Sequence, residues 1–450
     1  MSVSVQTSSS AWVPEFVLPG RRWRNWGRSQ SARPVFVARP RSVEEVVGAV
    51  RFARERALTV TCVGASHSFS AIAAAEGVQV DVSALSGLIE ADAASGRVRL
   101  GAGTRLHELP ALLDPLGLAL ENMGDIDRQT IAGAISTGTH GTGIRFGGLA
   151  SRIVGATLVT AEGEVLSIDE SSELLPAVRV GLGALGVLVD VTVACVPSFL
   201  LQAVERPEPL DAVLDEVSER MRGADHFEFY WFPHTATVLT KTNTRLPADA
   251  ASAPLSPIGR WVDEALLSNG VFAATCAAGR AAPAVIPGVN RLATRLIGDR
   301  DYTDVSHLVF ATRRSVRFRE MEYSVPIEAL GAALWEIRTL IDARGWRISF
   351  PIEVRATAPD DSLLATSHGR ESGYIAVHRY FRDDHHEYFA AVESILAAHD
   401  GRPHWGKMHT QDAASLAPRY ERFAEFLAVR DRLDPHRTFT NRYIRRVLGP

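Results

Sequence analysis

At 450 residues the chain has room for two or three domains, each burying its own core. Its 46% hydrophobic and 22% charged composition is that of a soluble globular protein, and a formal net charge of −4 gives no electrostatic case for nucleic acid or an anionic membrane surface. Three widely spaced cysteines, Cys62, Cys195 and Cys276, fit neither a disulfide framework nor a zinc site and point to a reducing cytoplasm.

Residues 1–20 are polar, small and aperiodic, which predicts disorder without a signal peptide. Pro34 to Pro40 reads as a short strand. Ser42 and Glu45 form a capping-box pattern ahead of Val43, Val46, Val47, Val50 and Ala53 at helical spacing. Leu58 to Val63 is a β-branched strand that breaks on Gly64, Ala65 and Ser66 and delivers His67 between Ser66 and Ser68. Such a loop after a strand is where α/β folds hold cofactors. Val78 to Val82 adds a strand, so the opening is β-α-β. Arg97 to Thr104 then leads into a helix carrying Leu106, Leu109, Leu112 and Leu113. The stretch from Glu121 to Gly143 is the densest in glycine, and its exposed N–H groups suit an anion such as pyrophosphate, or else a tightly packed turn. Arg152 to Ile168 reads as a hairpin turning at Glu162-Gly163.

Gly181-Leu-Gly-Ala-Leu-Gly186 matches the dinucleotide fingerprint, but it precedes the strand-like Val187 to Val193 instead of following a strand. It reads as a helix-to-strand turn, which disfavours a nicotinamide-binding domain. Further on, Phe227 to Pro233 is an aromatic strand with Thr235 to Thr242 as its partner. Trp261 to Arg295 predicts loosely defined helices. Two strand-helix-strand units follow: Phe318–Val325, Ile327–Ala343 and Arg347–Arg355, then Gly373–Tyr380, His386–His399 and Pro403–Lys407. Together they predict an antiparallel sheet with helices on one side. Glu353 and Arg355, two apart, share a face of one strand, where a solvent-facing ion pair is the plain alternative. The adjacent pair His385-His386 reads as surface.

His67 in Gly64-Ala-Ser-His-Ser, the run Gly138-Thr-His-Gly-Thr-Gly143 and the turn Gly183-Ala-Leu-Gly186 resemble the vanillyl-alcohol-oxidase superfamily of FAD enzymes. Within it the chain looks most like the sugar-lactone branch of L-gulono-1,4-lactone and D-arabinono-1,4-lactone oxidases or dehydrogenases. The likeness covers roughly 33–200 and 305–450 and is weak over 201–304. The resemblance implies an α+β protein: a FAD-binding domain over 21–200 in two subdomains (about 33–90 and 97–200), a substrate cap over 201–405, and a segment, 406–450, returning to the FAD domain. It implies FAD bonded covalently through His67, with Ser66 standing where relatives usually have glycine. The implied cofactor contacts are Gly64, Ala65, Ser66, Ser68, Phe69, Gly124, Gly133, Thr137, Thr139, His140, Gly141, Gly143, Gly186 and Val187. Glu353, Arg355 and Lys407 are the implied substrate clamp, with Asp125 beside it where many relatives carry serine, and His378 as a further position. Gly124 is the implied oxygen gate. No metal is implied. The expected reaction is hydride transfer from a secondary alcohol of a sugar lactone to the flavin, with oxygen or a redox carrier as acceptor. An alditol oxidase and a non-catalytic flavin carrier are the alternatives. The expected location is the cytoplasm or the membrane periphery.

Overall fold

The computed structural model describes residues 13–256, 272–296, 298–312 and 316–450. The first sheet joins β1 (Val17–Pro19), β2 (Phe36–Ala38), β3 (Val60–Val63) and β4 (Val78–Asp81) in the order β1-β2-β4-β3. The two pairings around β4 are parallel, as a β-α-β opening requires. The crossover helix α1 (Val43–Glu55) starts at Ser42, whose side chain accepts the Glu45 N–H. The capping box is shifted by one residue, because Glu45 reaches back to the Arg41 N–H at 2.7 Å and not to that of Ser42. Disorder over 1–20 is corrected in part: β1 pairs antiparallel with β2, and Val17 is buried in the core beneath α1. Residues 1–12 lie outside the described part.

The second sheet is antiparallel, with β5 (Leu88–Asp92), β6 (Arg97–Gly101), β7 (Ile153–Val159), β8 (Val165–Ile168) and β9 (Val187–Ala194) in the order β8-β7-β9-β6-β5. The β7–β8 hairpin turns at Gly163, whose φ of +78° suits glycine. Two short helices, α2 (Ile131–Ser136) and α3 (Leu175–Arg179), pack against this sheet.

The third sheet has eight strands, all antiparallel: β10 (Phe199–Pro209), β11 (His226–Trp231), β12 (Thr237–Pro247), β13 (Arg300–Val305), β14 (Phe318–Pro326), β15 (Ile352–Thr357), β16 (Ser372–Tyr380) and β17 (Arg402–Pro403). Their order is β13-β10-β12-β11-β15-β16-β14-β17. Strand alternation divides its two faces. Phe227, Phe229, Met321, Tyr323, Val354, Ile375 and Val377 point to one side and pack against α4 (Leu210–Asp215), α5 (Val217–Gly223), α6 (Leu330–Arg344) and α7 (His386–Ala398). These four helices therefore lie on one side, as the pattern predicts, while the 272–281 helix packs Cys276 with Phe318 and Phe350 on the other. The alternate residues, Glu228, Glu320, Glu322, Glu353, Arg355 and His378, are also buried, so the opposite face is covered although it is polar. The predicted strand 347–355 begins only at Ile352. Of the predicted strand Pro403–Lys407 only Pro403 is in a strand, Arg402–Pro403, and a turn follows. Between Trp261 and Arg295, residues 272–281 and 286–296 are helical, and 261–271 lie outside the described residues.

Near the C-terminus, Phe423–Leu433 and Arg442–Leu448 (α8 and α9) return to the first two sheets. The Val60 N–H donates to Thr438 O at 2.7 Å, and the Asn441 side chain caps α9 while donating to Ile72 O at 2.8 Å. His385 is corrected from surface to interior. It precedes α7, is buried, and meets the Arg319 guanidinium at 2.8 Å, because its backbone has not yet entered the helix that turns His386 outward.

Candidate active site

Two cavities meet at His67. The larger, about 1070 Å³ and partly open to solvent, runs along the end of β3, the start of α2, the 181–186 turn and Phe439 to Asn441. Apolar side chains such as Ile72, Leu158, Leu185 and Ile444 line much of it, and at the His67 end the main chain of the 64–68 loop forms the wall. A Cβ on Gly64 would lie 2.1 Å from Thr130 Oγ1, so the backbone is as close to α2 as it can come. Ser66 holds φ +61°, and its Oγ accepts the Trp23 indole N–H at 2.9 Å. Among the described residues no acceptor takes the N–H groups of Ala65, Ser66, His67 or Ser68. Four free donors in succession, on a loop with a left-handed residue, make an anion-binding concavity. These residues fit the diphosphate of a dinucleotide. Gly64, Ala65, Ser66, His67, Ser68, Gly133, Thr137 and Gly186 all line this cleft.

The smaller cavity, about 520 Å³, lies between that cleft and the polar face of the third sheet. His67, Ser68, Phe69, Gly124, Asp125, Thr137, Thr139, His140, Arg355 and Lys407 border it, together with Glu322, His404 and Gly406. Of the cofactor candidates, Gly141, Gly143 and Val187 border neither cavity. Gly141 backs onto Met123 O, the Gly143 N–H donates to Ala356 O on β15, and Val187 is in the core.

Arg355 is enclosed by carboxylates. Its Nε donates to Glu228 Oε2 at 3.0 Å, its Nη2 contacts Glu353, and Asp125 Oδ2 is 3.4 Å away. Burial opposes its charge, but Glu353, Asp125 and Glu228 more than offset it and hold the guanidinium well above its usual range. Glu353 is not on the cavity wall; it stands behind Arg355 and orients it.

Lys407 Nζ is 2.5 Å from Glu320 Oε1 and 4.0 Å from Glu322 Oε2. Burial would lower its pKa, yet these two carboxylates raise it. Burial likewise pushes Glu320 up, but Lys407 and His378 hold it down at about 2. His378 donates from Nδ1 to Pro351 O at 3.0 Å and keeps Nε2 3.6 Å from Glu320, away from the cavity. His140 stacks on Tyr374 with centroids 3.8 Å apart, donates from Nδ1 to Gly141 O, and turns Nε2 to Glu322 at 3.4 Å.

His140, Glu322 and His404 are close enough for a metal. However, His404 Nδ1 accepts the Gly406 N–H at 3.0 Å, which leaves the proton on Nε2 where a metal would need the lone pair, and Lys407 adds a competing positive charge. His404 is held down at about 3 by burial, so it is a neutral donor. His67 is lowered to about 4, by burial first and then by Arg105, Lys407 and Arg128. Its imidazole is thus neutral and nucleophilic. The thiols are inert: burial lifts Cys62 and Cys276 to about 12 and Cys195 to about 11.

Glu228, Glu320, Glu322 and His404 are absent from the sequence candidates. Glu320 and Glu322 did leave a signal: two acids, two apart, alternating with Met321 and Tyr323 in one strand.

Among known proteins, residues 191–447 match the model of the D-arabinono-1,4-lactone oxidase family, a span that includes 201–304, and residues 34–169 match that of a FAD-binding domain. The L-gulono-1,4-lactone dehydrogenase of Mycobacterium tuberculosis is 45% identical over 428 residues, covering 95% of this chain and 99% of that protein. Bovine (Bos taurus) L-gulonolactone oxidase is 33% identical over 95% of this chain and 98% of its own length. A Streptomyces alditol oxidase is 31% identical over 94% and 98%. The fold is shared with cholesterol oxidase from Brevibacterium sterolicum, at a TM-score of 0.79 and 16% identity over the whole of both chains.

Proposed function

The chain belongs to the D-arabinono-1,4-lactone oxidase family, and from that footing we propose that it oxidises a secondary alcohol of an L-gulono- or D-arabinono-type 1,4-lactone with FAD as oxidant. The observation that carries this reading is the meeting of two cavities at His67, a long cleft walled at that end by the 64–68 loop and a smaller chamber faced by Arg355 and Lys407. When bound, FAD supplies the two-electron acceptor for the hydride.

The chain's own residues bind and orient the substrate. Arg355, fixed by Glu353 and Glu228, presents its remaining N–H groups to the chamber and stabilises negative charge building on the carbinol oxygen. Lys407, anchored on Glu320, donates to a second substrate oxygen. Glu322 and Asp125 accept substrate hydroxyl hydrogens, and Glu322 is fixed by His140, whose Nε2 is 3.4 Å from it. The buried polar sheet face and Phe69 keep bulk water out.

We assign 21–200 to the FAD-binding domain, 201–405 to the cap and 406–450 to a segment that completes the cleft; the passage from β9 to β10 between Ala194 and Phe199 supports the first boundary. FAD is attached covalently through His67, a reading supported by its neutral imidazole at the junction, whose ring nitrogens have no hydrogen-bond partner among the described residues. The acceptor is oxygen or a redox carrier, with Gly124 on the chamber wall setting oxygen access. Three unpaired thiols support a cytoplasmic site of action. No described helix is long and apolar enough to cross a membrane.

Anaerobic bleaching of the flavin by a panel of substrates tests the reading. L-gulono- and D-arabinono-1,4-lactone should reduce it faster than xylitol or sorbitol. Reduction by the alditols alone would make it an alditol oxidase. Reduction by none of them would make it a carrier.

A further inference from the structure

The covalent reading requires His67 to keep one orientation, yet its ring nitrogens have no hydrogen-bond partner among the described residues. The loop that carries it is held from two sides. On one, the Phe69 N–H donates to Gly406 O, and the Ser70 hydroxyl donates to Trp405 O at 2.8 Å. On the other lies a short turn, residues 23–30, which precedes both family-model matches.

That turn grips the loop residue by residue. The Trp23 indole N–H donates to Ser66 Oγ at 2.9 Å, and the Trp26 N–H to Ser66 O at 2.8 Å. The Asn25 side-chain amide donates to Ser68 O at 2.9 Å, and the Ser29 hydroxyl to Phe69 O at 2.8 Å. The Trp26 ring stacks on the His67 imidazole, with centroids 5.7 Å apart and planes 28° apart. The turn is itself closed by Asn25, which is buried and accepts the Gln30 N–H at 2.9 Å. Gly27 lets it lie flat on the loop, since a Cβ there would be 2.8 Å from the Phe69 ring and 3.1 Å from Phe318 O. Ser66 sits in the left-handed region at φ +61°, a conformation that costs a non-glycine residue free energy. Two of the strap's hydrogen bonds end on this residue.

We propose that residues 23–30 are a positioning strap that sets the His67 imidazole for bond formation with the flavin, Trp26 fixing the ring and Trp23 and Asn25 fixing the loop beneath it. The proposal rests on the covalent reading above. In that bond an imidazole nitrogen joins the methyl carbon of the flavin ring; one C–H and one N–H bond are lost as protons, and the two electrons enter the flavin itself, leaving later through the acceptor used in turnover. The strap's task is to hold a neutral nitrogen toward that carbon without a hydrogen bond that would occupy its lone pair.

The test measures, in purified holoprotein, total bound flavin and the part that stays with the polypeptide after acid denaturation. Wild type should retain its flavin. Trp26→Ala and Asn25→Ala should bind flavin and lose most of it on denaturation, while Trp26→Phe, which keeps a stacked ring, should recover retention. A merely structural role would lower total flavin and thermal midpoint together and leave the retained fraction unchanged. Should Trp26→Ala not fold, Trp23→Phe, which removes one hydrogen bond, decides the matter in the same way. If wild type itself releases all its flavin, the covalent reading falls. If wild type and the strap variants retain flavin equally, the strap alone is overturned.

Discussion

The two halves of the site are built from different materials. The end of the cleft at His67 is shaped by backbone: free N–H groups, a glycine pressed on Thr130, and a left-handed serine. The chamber is shaped by ionised side chains, with Arg355 among three carboxylates and Lys407 between two. A main-chain wall is indifferent to charge and sensitive to a single added methyl. An ionic wall is sensitive to the loss of one charge, because its partners are then buried without compensation.

Arg355→Ala should break the ionic wall with the largest effect. One donor to a developing oxyanion contributes roughly 10²–10³ in rate, and here three carboxylates would also lose their cation. Stopped-flow reduction and a thermal midpoint, read together, separate the two losses. Arg355→Lys should not rescue, since an ammonium cannot replace the planar fork. Reduction by Arg355→Ala near the wild-type rate would return the Glu353–Arg355 pair to a purely structural role.

Acid should unfold the protein before it discharges the chamber. His226 and His385 are held at about 4, and His404 and His409 at about 3, with burial the leading cause for each. An unfolded histidine titrates near 6.5, so below about that pH the unfolded chain binds more protons than the folded one. These four residues therefore contribute stability that is present above about pH 6.5 and lost as pH falls toward their folded values. Glu320, at about 2, stays ionised throughout this window. The thermal midpoint should drop steeply from pH 6.5 to 4, while the reduction rate of protein that is still folded changes little. A rate that titrates while the midpoint holds would contradict this.

Gly64→Ala is the corresponding test of the main-chain wall. Overpacking against the buried Thr130 should cost about 1–3 kcal/mol and displace the loop that carries the free N–H groups, lowering flavin content. Thr130→Ala in the same chain removes the oxygen that the methyl would strike and should restore part of the loading. The smallest effect is expected at Gly124, on the chamber side, where an added Cβ would sit 3.0 Å from His140 O and 3.5 Å from the Thr139 methyl. Gly124→Ala should fold and should slow reoxidation by oxygen more than reduction by substrate. Equal effects on the two half-reactions would remove Gly124 from oxygen control.

The same contrast governs what the sequence made legible. The cleft could be read because strand, glycine break and His67 are consecutive, and the β-α-β unit is local. Glu353 and Arg355 could be read as a pair because they are two apart on one strand. Their partners could not. Glu228 reaches Arg355 from a strand 127 residues away, and Lys407 meets Glu320 across the register of β14 and the turn after β17, which no local pattern encodes. Strand β10 escaped notice because Pro207 and Pro209 argue against a strand. They lie beyond Glu205, where pairing with β13 ends, so their missing N–H groups face an open edge.

The closing of the cleft by Phe439 to Asn441 also sets a time for cofactor capture. Asn441 grips Ile72 across 369 residues, and at roughly 5–20 residues per second tens of seconds of synthesis separate the two. Until α9 has left the ribosome, one wall of the cleft is missing, so the nascent His67 loop waits with its donors open to water. Flavin loading is on this view among the last events in the protein's biogenesis, later than the docking of β1 and α1.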